Sequence, residues 1–477
     1  MVQGIGRFAP LMMMCATMSL MACQTVGPEY TAPQFDLVSA YSPEIPMISP
    51  NIAGDGRWWQ SSNDPVLQQL LQDGLANNLD LQIAASRIAE ARAIARGVVG
   101  GNGVQADIQG NTGVERRWST REAGNYVNSA EYGAALDLEW TPDLWGGQLR
   151  EEQGAQADLM EQIYLREDVY RTVIADIVRN YIELRGTQQR QALLRDSLDL
   201  QRQTSDIVQL RAQSGLASEL DLSRARAEVA DIEATLPLLQ TGIDRSVNAL
   251  AVLIGAQPGT YRDELLQSAP LPLFDAAPAI GLPADLLRRR PDLRAAELAL
   301  ISATAEIGVQ TAELYPQLSL NGSLSMAVSG FGTGPIIRTA LAAIGAVIDA
   351  NLYDGGQRRA NVEVAEQRAQ QAFYAYRQTL LNAIEEVESA IFGYVGAVGQ
   401  RDSLITAVAY HRQAFDQSRV RYVQGLSNFL DVLDAQRTLT RSQQDLADAE
   451  TSLELETINL YEAVGLSVDD VEQATGT

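Results

Sequence analysis

The sequence predicts an α+β membrane protein in which long antiparallel helices are combined with two β-hairpins. Three observations support this fold class. The chain repeats itself after about 210 residues, each copy contains two runs of alternating apolar and polar residues, and each copy continues into an uninterrupted helical pattern. Since both copies show the same order, we expect two tandem copies of one structural unit.

The composition excludes several classes of protein. A chain of 477 residues exceeds one ordinary domain, and a formal net charge of −24 leaves no basic surface for nucleic acid. One histidine and two cysteines are too few for a typical metal site, a Cys/His nucleophile pair or a disulfide framework. We therefore expect no catalytic residue, no metal and no cofactor.

The N-terminus has the pattern of a lipoprotein signal peptide. Arg7 precedes a mostly apolar run, and residues 20–23 read Leu-Met-Ala-Cys. This resembles the bacterial lipobox, in which the cysteine, here Cys23, becomes the lipid-modified first residue (palmitate). Gln24 is compatible with the outer membrane, because an Asp at that position retains enteric lipoproteins in the inner membrane. The alternative is an ordinary secretory signal, since a transmembrane helix needs about 20 apolar residues.

The internal repeat sets the segment boundaries. Its clearest part contains eight identities, and the first-copy members, each 210 positions before its equivalent, are Arg202, Gln203, Asp206, Arg211, Gly215, Leu216, Leu220 and Asp221. The predicted segments are a lipoprotein signal peptide at 1–22, a lipid-anchored extended segment at 23–60, structural repeat 1 at 61–255, a linker at 256–282, structural repeat 2 at 283–465 and a polar C-terminal tail at 466–477.

Each repeat begins with a helical pattern and continues into two strands. The first helix covers 65–96, where an acid followed by proline is a typical start, and its counterpart covers 283–313. The alternating runs that follow lie at 104–115, 132–140, 318–328 and 346–352. Each is about ten residues long, enough for a tilted strand to cross a bilayer.

Four strands cannot close a barrel that excludes lipid. The hairpins are therefore either soluble, like the edge of a β-sandwich, or pooled by several chains. No long apolar helix follows residue 23, so a membrane crossing would have to use these strands.

After each hairpin comes the longest helical pattern in its repeat. Residues 148–214 and 357–424 contain no proline, and each helix would extend on the order of 100 Å. Return helices are predicted at 218–254 and 428–464. Sparse apolar positions among many alanines indicate helices that pack along a narrow seam and expose two faces to water, as in the wall of a hollow helical tube.

Several short segments together carry a family resemblance. They are Val26-Gly27-Pro28-Glu29-Tyr30, Trp58-Trp59, Asn78-Leu79-Asp80-Leu81, residues 248–255, residues 289–297, Tyr315-Pro316-Gln317-Leu318, residues 352–357 and residues 431–435. In this order and spacing the chain resembles TolC-type outer-membrane efflux channels (outer membrane factors), in the lipoprotein, NodT-like branch typified by OprM.

The resemblance implies a homotrimer. Each protomer would contribute two hairpins to a twelve-stranded transmembrane β-barrel and four helical strands to a twelve-helix periplasmic α-barrel. The implied function is the passive exit duct of a tripartite efflux or secretion system, for example in multidrug efflux. Its partners would be an inner-membrane pump, a periplasmic adaptor docking at the periplasmic tip, and outer-membrane lipid. The protein would lie in the outer membrane and extend into the periplasm.

The resemblance also assigns roles around the turn between the last two helices, which would close the periplasmic tip. Gly425, Asp431 and Asp434 match the positions that narrow the entrance, and Leu430 matches an apolar gate position. The alternative for Asp431 is helix capping with Asn428. Asp434 lies too far into the helix for capping.

Three further residues match latches that hold neighbouring helices in the closed state. Asp221 and Tyr422 match one pair, and Arg437 matches another latch residue of this branch. Asp221 could instead cap a helix, Tyr422 could be ordinary helix packing, and Arg437 a surface ion pair of little weight. Ser427 replaces the latch arginine of TolC, so Arg437 or Arg421 would have to substitute for it.

The alternative function is a trimeric envelope structural or adhesive protein with long coiled coils. Such a protein would lack both the alternating strands and the duplicated acidic turn. An enzyme is disfavoured, because two acids three residues apart on one helix leave no substrate groove between them.

Overall fold

The computed structural model describes residues 25–35, 58–119, 125–274, 290–331 and 335–465. The predicted signal peptide, Cys23 with Gln24, the C-terminal tail and parts of the N-terminal segment and linker lie outside the described residues. The remainder forms two compact units.

The first unit comprises the described residues of 1–34, 87–163 and 295–377, and it contains a sheet. Its antiparallel strands lie in chain order and are β1 (Gln105–Ser119), β2 (Asn125–Trp140), β3 (Gln317–Phe331) and β4 (Ile336–Asp349). Ile108 pairs with Leu136, and Leu136 pairs with Leu324. This row of exposed apolar side chains lies on one face, as the alternating sequence predicts.

The strands differ from the predicted runs in length. They span 14 to 16 residues, because pairing continues through polar positions such as Arg116 opposite Asn128. In contrast, β4 ends at Asp349, which pairs with Gln317, so the predicted strand residues 350–352 are not in the strand. The residue before Gln317 is Pro316, which has no N–H to extend the ladder.

Helices make up most of the remaining described chain. A 3-10 turn (Trp58–Ser62) precedes α1 (Pro65–Asn77), α2 (Leu79–Gly101), α3 (Gly147–Gln213), α4 (Glu219–Leu253), α5 (Arg262–Leu265), α6 (Pro291–Ala312), α7 (Gln357–Val423) and α8 (Phe429–Val464). Both long helices, α3 and α7, contain 67 residues. Their predicted bounds, and those of the return helices, are confirmed to within a residue. None of the described helices combines the length and apolar character needed to cross a bilayer.

The first predicted helix is in fact two helices. Asp64 is the expected N-cap, and its carboxylate accepts hydrogen bonds from the N–H groups of Val66 and Leu67. Asn78 then interrupts the run, because its Oδ1 caps α2 at Leu81 while its Nδ2 donates to the carbonyl oxygen of Leu253 at 2.7 Å. This long-range contact has no counterpart in the local sequence pattern.

The second unit comprises the described residues of 35–86, 164–294 and 378–477. Its main core contains Leu67, Leu70 and Leu71 of α1 and Val247 and Leu250 of α4, packed against α3. A smaller cluster, which we call the turn cluster, joins α3, α4, α7 and α8 next to their turns. It consists of Val208, Leu222, Ala225, Phe415, Tyr422, Phe429, Val432, Leu433 and Leu439.

Candidate functional site

Each long helix ends at a glycine in the left-handed conformation. Gly425 has a φ of +74°, and its N–H donates to the carbonyl oxygen of Tyr422 at 3.0 Å. The N–H of Leu426 reaches the carbonyl oxygen of Arg421 at 2.8 Å, which completes a Schellman cap. Gly215 repeats this geometry after α3, with a φ of +72°. A Cβ on Gly425 would meet no heavy atom within 4 Å, so the backbone conformation alone favours glycine there.

The helices that follow the two turns are capped differently. Ser218 and Asp221 form a full capping box, in which the Asp221 carboxylate accepts from both the N–H and the hydroxyl of Ser218. At the second turn Asn428 accepts from the N–H of Asp431 at 2.9 Å. The Asp431 carboxylate has no hydrogen bond or salt bridge to any described residue. Capping therefore occupies the side chain of Asp221 and leaves that of Asp431 available.

The first two turns of α8 have a buried face and an exposed face. Phe429, Val432 and Leu433 are buried in the turn cluster. Leu430, 48% exposed, lies outside it, and both Asp431 and Asp434 are exposed. The structure thus brings the three proposed gate side chains onto the exposed face, next to the turn made by Gly425.

Tyr422 is buried beside Arg211 rather than bonded to Asp221. The Arg211 guanidinium lies 4.7 Å from the centre of the Tyr422 ring and donates to the Tyr422 carbonyl oxygen at 3.4 Å. The hydroxyl has no hydrogen-bond partner among the described residues. Burial raises the pKa of Tyr422, Arg211 opposes the rise, and the nearby charge of Asp221 adds to it. The proposed Asp221–Tyr422 pair is therefore close but not hydrogen-bonded in this arrangement.

Arg437 connects the two repeats. Its guanidinium forms a salt bridge and a hydrogen bond with Glu228 of α4. The Arg437 side chain is about half exposed, whereas that of Glu228 is mostly buried. The hydrogen bond to Glu228 raises the pKa of Arg437. Ser427, which replaces the TolC arginine, has a buried Oγ without a partner among the described residues.

Sequence reasoning missed the roles of Arg211 and Glu228. Arg211 appeared only as a repeat identity with Arg421, although a basic residue in the last turn of a helix indicates interaction with terminal carbonyls. Glu228 gave no signal, because its partner lies 209 positions away. Both residues belong to repeat 1 and contact repeat 2.

The N-terminal segment is fixed where β2 continues into α3. The N–H of Val26 donates to the carbonyl oxygen of Trp145 at 2.9 Å, and Thr25 lies against Gly146. Farther along, the Tyr30 hydroxyl donates to Glu297 at 2.9 Å. The residues that follow the predicted lipidation site are thereby held at the end of a strand.

Comparison with known proteins identifies the family. Residues 70–256 and 282–466 match the family described as outer membrane efflux protein. The chain belongs to this family. A similar protein is Nodulation protein T of Rhizobium leguminosarum bv. viciae, 30% identical over 447 residues, covering 93% of this chain and 91% of the relative. The pyoverdine export outer membrane protein OpmQ of Pseudomonas aeruginosa is 28% identical over 421 residues, covering 86% and 87%.

Solved structures show the same architecture for this outer membrane efflux protein. The outer-membrane channel OprN superposes with a TM-score of 0.85 at 29% identity, covering 92% of this chain and 98% of that chain. The NodT-like branch, the fold class and the efflux-channel function predicted from the sequence are thereby confirmed. The protein is a homotrimeric passive conduit of the outer membrane that extends into the periplasm. It works with a periplasmic adaptor and an inner-membrane pump, and it is a passive conduit rather than an enzyme.

Proposed function

We propose that the turn between α7 and α8 is the gate of this efflux channel. In this proposal Gly425 shapes the turn, and Leu430, Asp431 and Asp434 narrow the passage. The observation that carries it is the division of α8 into two faces. The buried face packs into the turn cluster, while the exposed face presents Leu430 and two acids whose carboxylates have no hydrogen bond or salt bridge to a described residue.

In the homotrimer, three copies of this face bring six carboxylates together around one axis. Like charges held together in a constriction attract cations. The gate therefore acts as a cation-sensitive filter as well as a constriction. Copy one cannot duplicate it, because Asp221 is committed to its capping box and Arg224 stands at the position equivalent to Asp434.

Two contacts between the repeats hold this gate in the arrangement seen here. Arg437 forms a salt bridge with Glu228. Arg211 stacks on the ring of Tyr422 and donates a hydrogen bond to its carbonyl oxygen. Both link the α7–α8 hairpin to repeat 1. Movement of the hairpin away from repeat 1 would break them, so they oppose opening. They take the place of the latch that Ser427 cannot form.

The double variant Asp431→Ala/Asp434→Ala tests the gate. We expect higher single-channel conductance in planar bilayers and loss of block by divalent cations, because the ring of charge is removed. Asp445→Ala is the matched control, since Asp445 is an exposed acid of the same helix away from the turn. Unchanged conductance together with unchanged cation block would show that these acids do not form the gate.

We also propose that Cys23 carries the lipid anchor. The hydrogen bond from Val26 to Trp145 supports this, because it holds residue 26, three positions after Cys23, at the junction between β2 and α3. We expect Cys23→Ser to lose acylation, as detected by mass spectrometry of the mature N-terminus. Cys15→Ser, which changes a cysteine inside the predicted signal, should keep it. An acyl group retained in Cys23→Ser would contradict the assignment.

A further inference from the structure

Helices α3 and α8 run antiparallel in the second unit with a regular register. Their contacts, in order toward the turns, join Arg179 to Asn459, Gly186 to Thr451, Arg190 to Asp448 and Ser197 to Thr440. Moving forward along α3 by a given number of residues moves the contact backward along α8 by nearly the same number. Continuing this register by one helical turn places Gln201 and Gln436 at the same level.

Both glutamines are buried with unused hydrogen-bonding groups. Gln201 is 0% exposed and Gln436 is 3% exposed. Neither Oε1 nor Nε2 of Gln436 has a hydrogen-bond partner among the described residues, and Oε1 of Gln201 has none either. The remaining group, Nε2 of Gln201, makes a long bond of 3.3 Å to the carbonyl oxygen of Ala225. Buried amides are normally satisfied, so this level of the α3–α8 pair is unfavourable as packed.

The apolar neighbours of Gln436 along α8 cannot satisfy its amide. Leu433 and Leu439, one turn before and after, are buried in the turn cluster and offer no polar group. An amide can donate and accept, so the two glutamines could bond to each other if α8 shifted or rotated against α3. Arg437 is the next residue, and its bond to Glu228 opposes such a movement.

We propose that Gln436, together with Gln201, is a positioning residue that favours opening of the gate. In the arrangement seen here its unpaired amide raises the energy of the packing that Arg437 and Glu228 maintain. Displacement of α8 exchanges that salt bridge for an amide pair. Gln436 therefore favours the displacement of α8, and its neighbour Arg437 opposes it. This inference rests on the proposed gate at the α7–α8 turn.

The test uses the full-length trimer in planar bilayers. Arg437→Gln should raise the open probability, because its salt bridge with Glu228 is lost. Adding Gln436→Met in that background should lower the open probability about tenfold, since Met keeps the shape but removes the buried amide. Gln443→Met, a partly exposed glutamine of the same helix, should leave it unchanged.

A purely structural role for Gln436 would change the melting temperature of the trimer without moving the open probability. Gln201→Met provides a second variant with the same expected direction, in case Gln436→Met fails to assemble by size-exclusion chromatography. If Arg437→Gln opens the channel and neither glutamine variant closes it, the inference is overturned while the gate stands. If Arg437→Gln leaves the open probability at the wild-type value, the salt bridge to Glu228 does not hold the gate closed, and the inference is overturned. Whether Asp431 and Asp434 form the gate is decided separately by Asp431→Ala/Asp434→Ala.

Discussion

Glu454 is a buried acid of α8, and its surroundings make the stability of the second unit depend on pH. It is 6% exposed, and its carboxylate accepts a hydrogen bond from the N–H of Phe274 at 3.2 Å. Burial raises its pKa to about 7, although that bond and the charge of Arg401 oppose the rise. Burial raises the pKa of the nearby Tyr394, Arg401 opposes that rise, and the charge of Glu454 adds to it.

The sign of the effect follows from proton linkage. Between the pKa of an unfolded glutamate, about 4.3, and the folded value, the folded state binds more protons. Stability therefore falls as the pH rises from about 4.3 to about 7, by up to about 4 kcal/mol. We expect the melting temperature of the wild-type trimer in detergent to drop between pH 5 and pH 8, and Glu454→Gln to reduce that drop.

Asp445→Asn is the matched control for this measurement, because it neutralises an exposed acid of α8 and should leave the drop in place. An equal drop in wild type and Glu454→Gln would mean that another group governs the pH dependence.

At single positions, sequence could identify the acids but not their partners. Capping rules correctly separated Asp221 from Asp434, because the spacing from the N-cap residue is a local property. The Arg437–Glu228 salt bridge and the Arg211–Tyr422 contact each join residues more than 200 positions apart. Such pairs depend on how the repeats pack, which no periodicity within one helix encodes.

At the scale of the secondary-structure elements, the glycines of the two turns are positions where the backbone conformation alone favours glycine. We expect Gly425→Ala to destabilise the trimer by about 1 kcal/mol per chain, because the left-handed conformation is costly for a residue with a Cβ. Gly396→Ala is the matched control, since Gly396 lies inside α7 with equally open surroundings. There alanine should stabilise by about 0.5–1 kcal/mol. Thermal unfolding in detergent should move in opposite directions for the two variants, and a shift of the same sign would refute the argument.

The long helices were the most predictable elements, because 67 residues without proline allow few alternatives. The break at Asn78 was missed, since it depends on a bond to the carbonyl oxygen of Leu253. Strand ends were also misplaced. Pairing between strands extends beyond the alternating pattern of each strand, and the ladder stops beside Pro316.

For the whole molecule, a single chain leaves extensive apolar surface uncovered. Ile344 of β4 is 95% exposed, and Phe392 and Tyr410 of α7 are more than half exposed. The number of predicted strands left two possibilities, soluble hairpins or hairpins pooled by several chains. The number three came from the family resemblance, because neither the period of a helix nor that of a strand records how many copies assemble.

The unequal capping of the two turns has a consequence for symmetry. A homotrimer of a duplicated chain presents six helical turns, which identical repeats would arrange as six equivalent docking points. Here three turns carry Asp221 held in its capping box near Arg224, and three carry Asp431 and Asp434, whose carboxylates have no hydrogen bond or salt bridge to a described residue. A partner that reaches the channel in six copies would therefore meet two chemically distinct sets of three, and must itself alternate between two modes of contact.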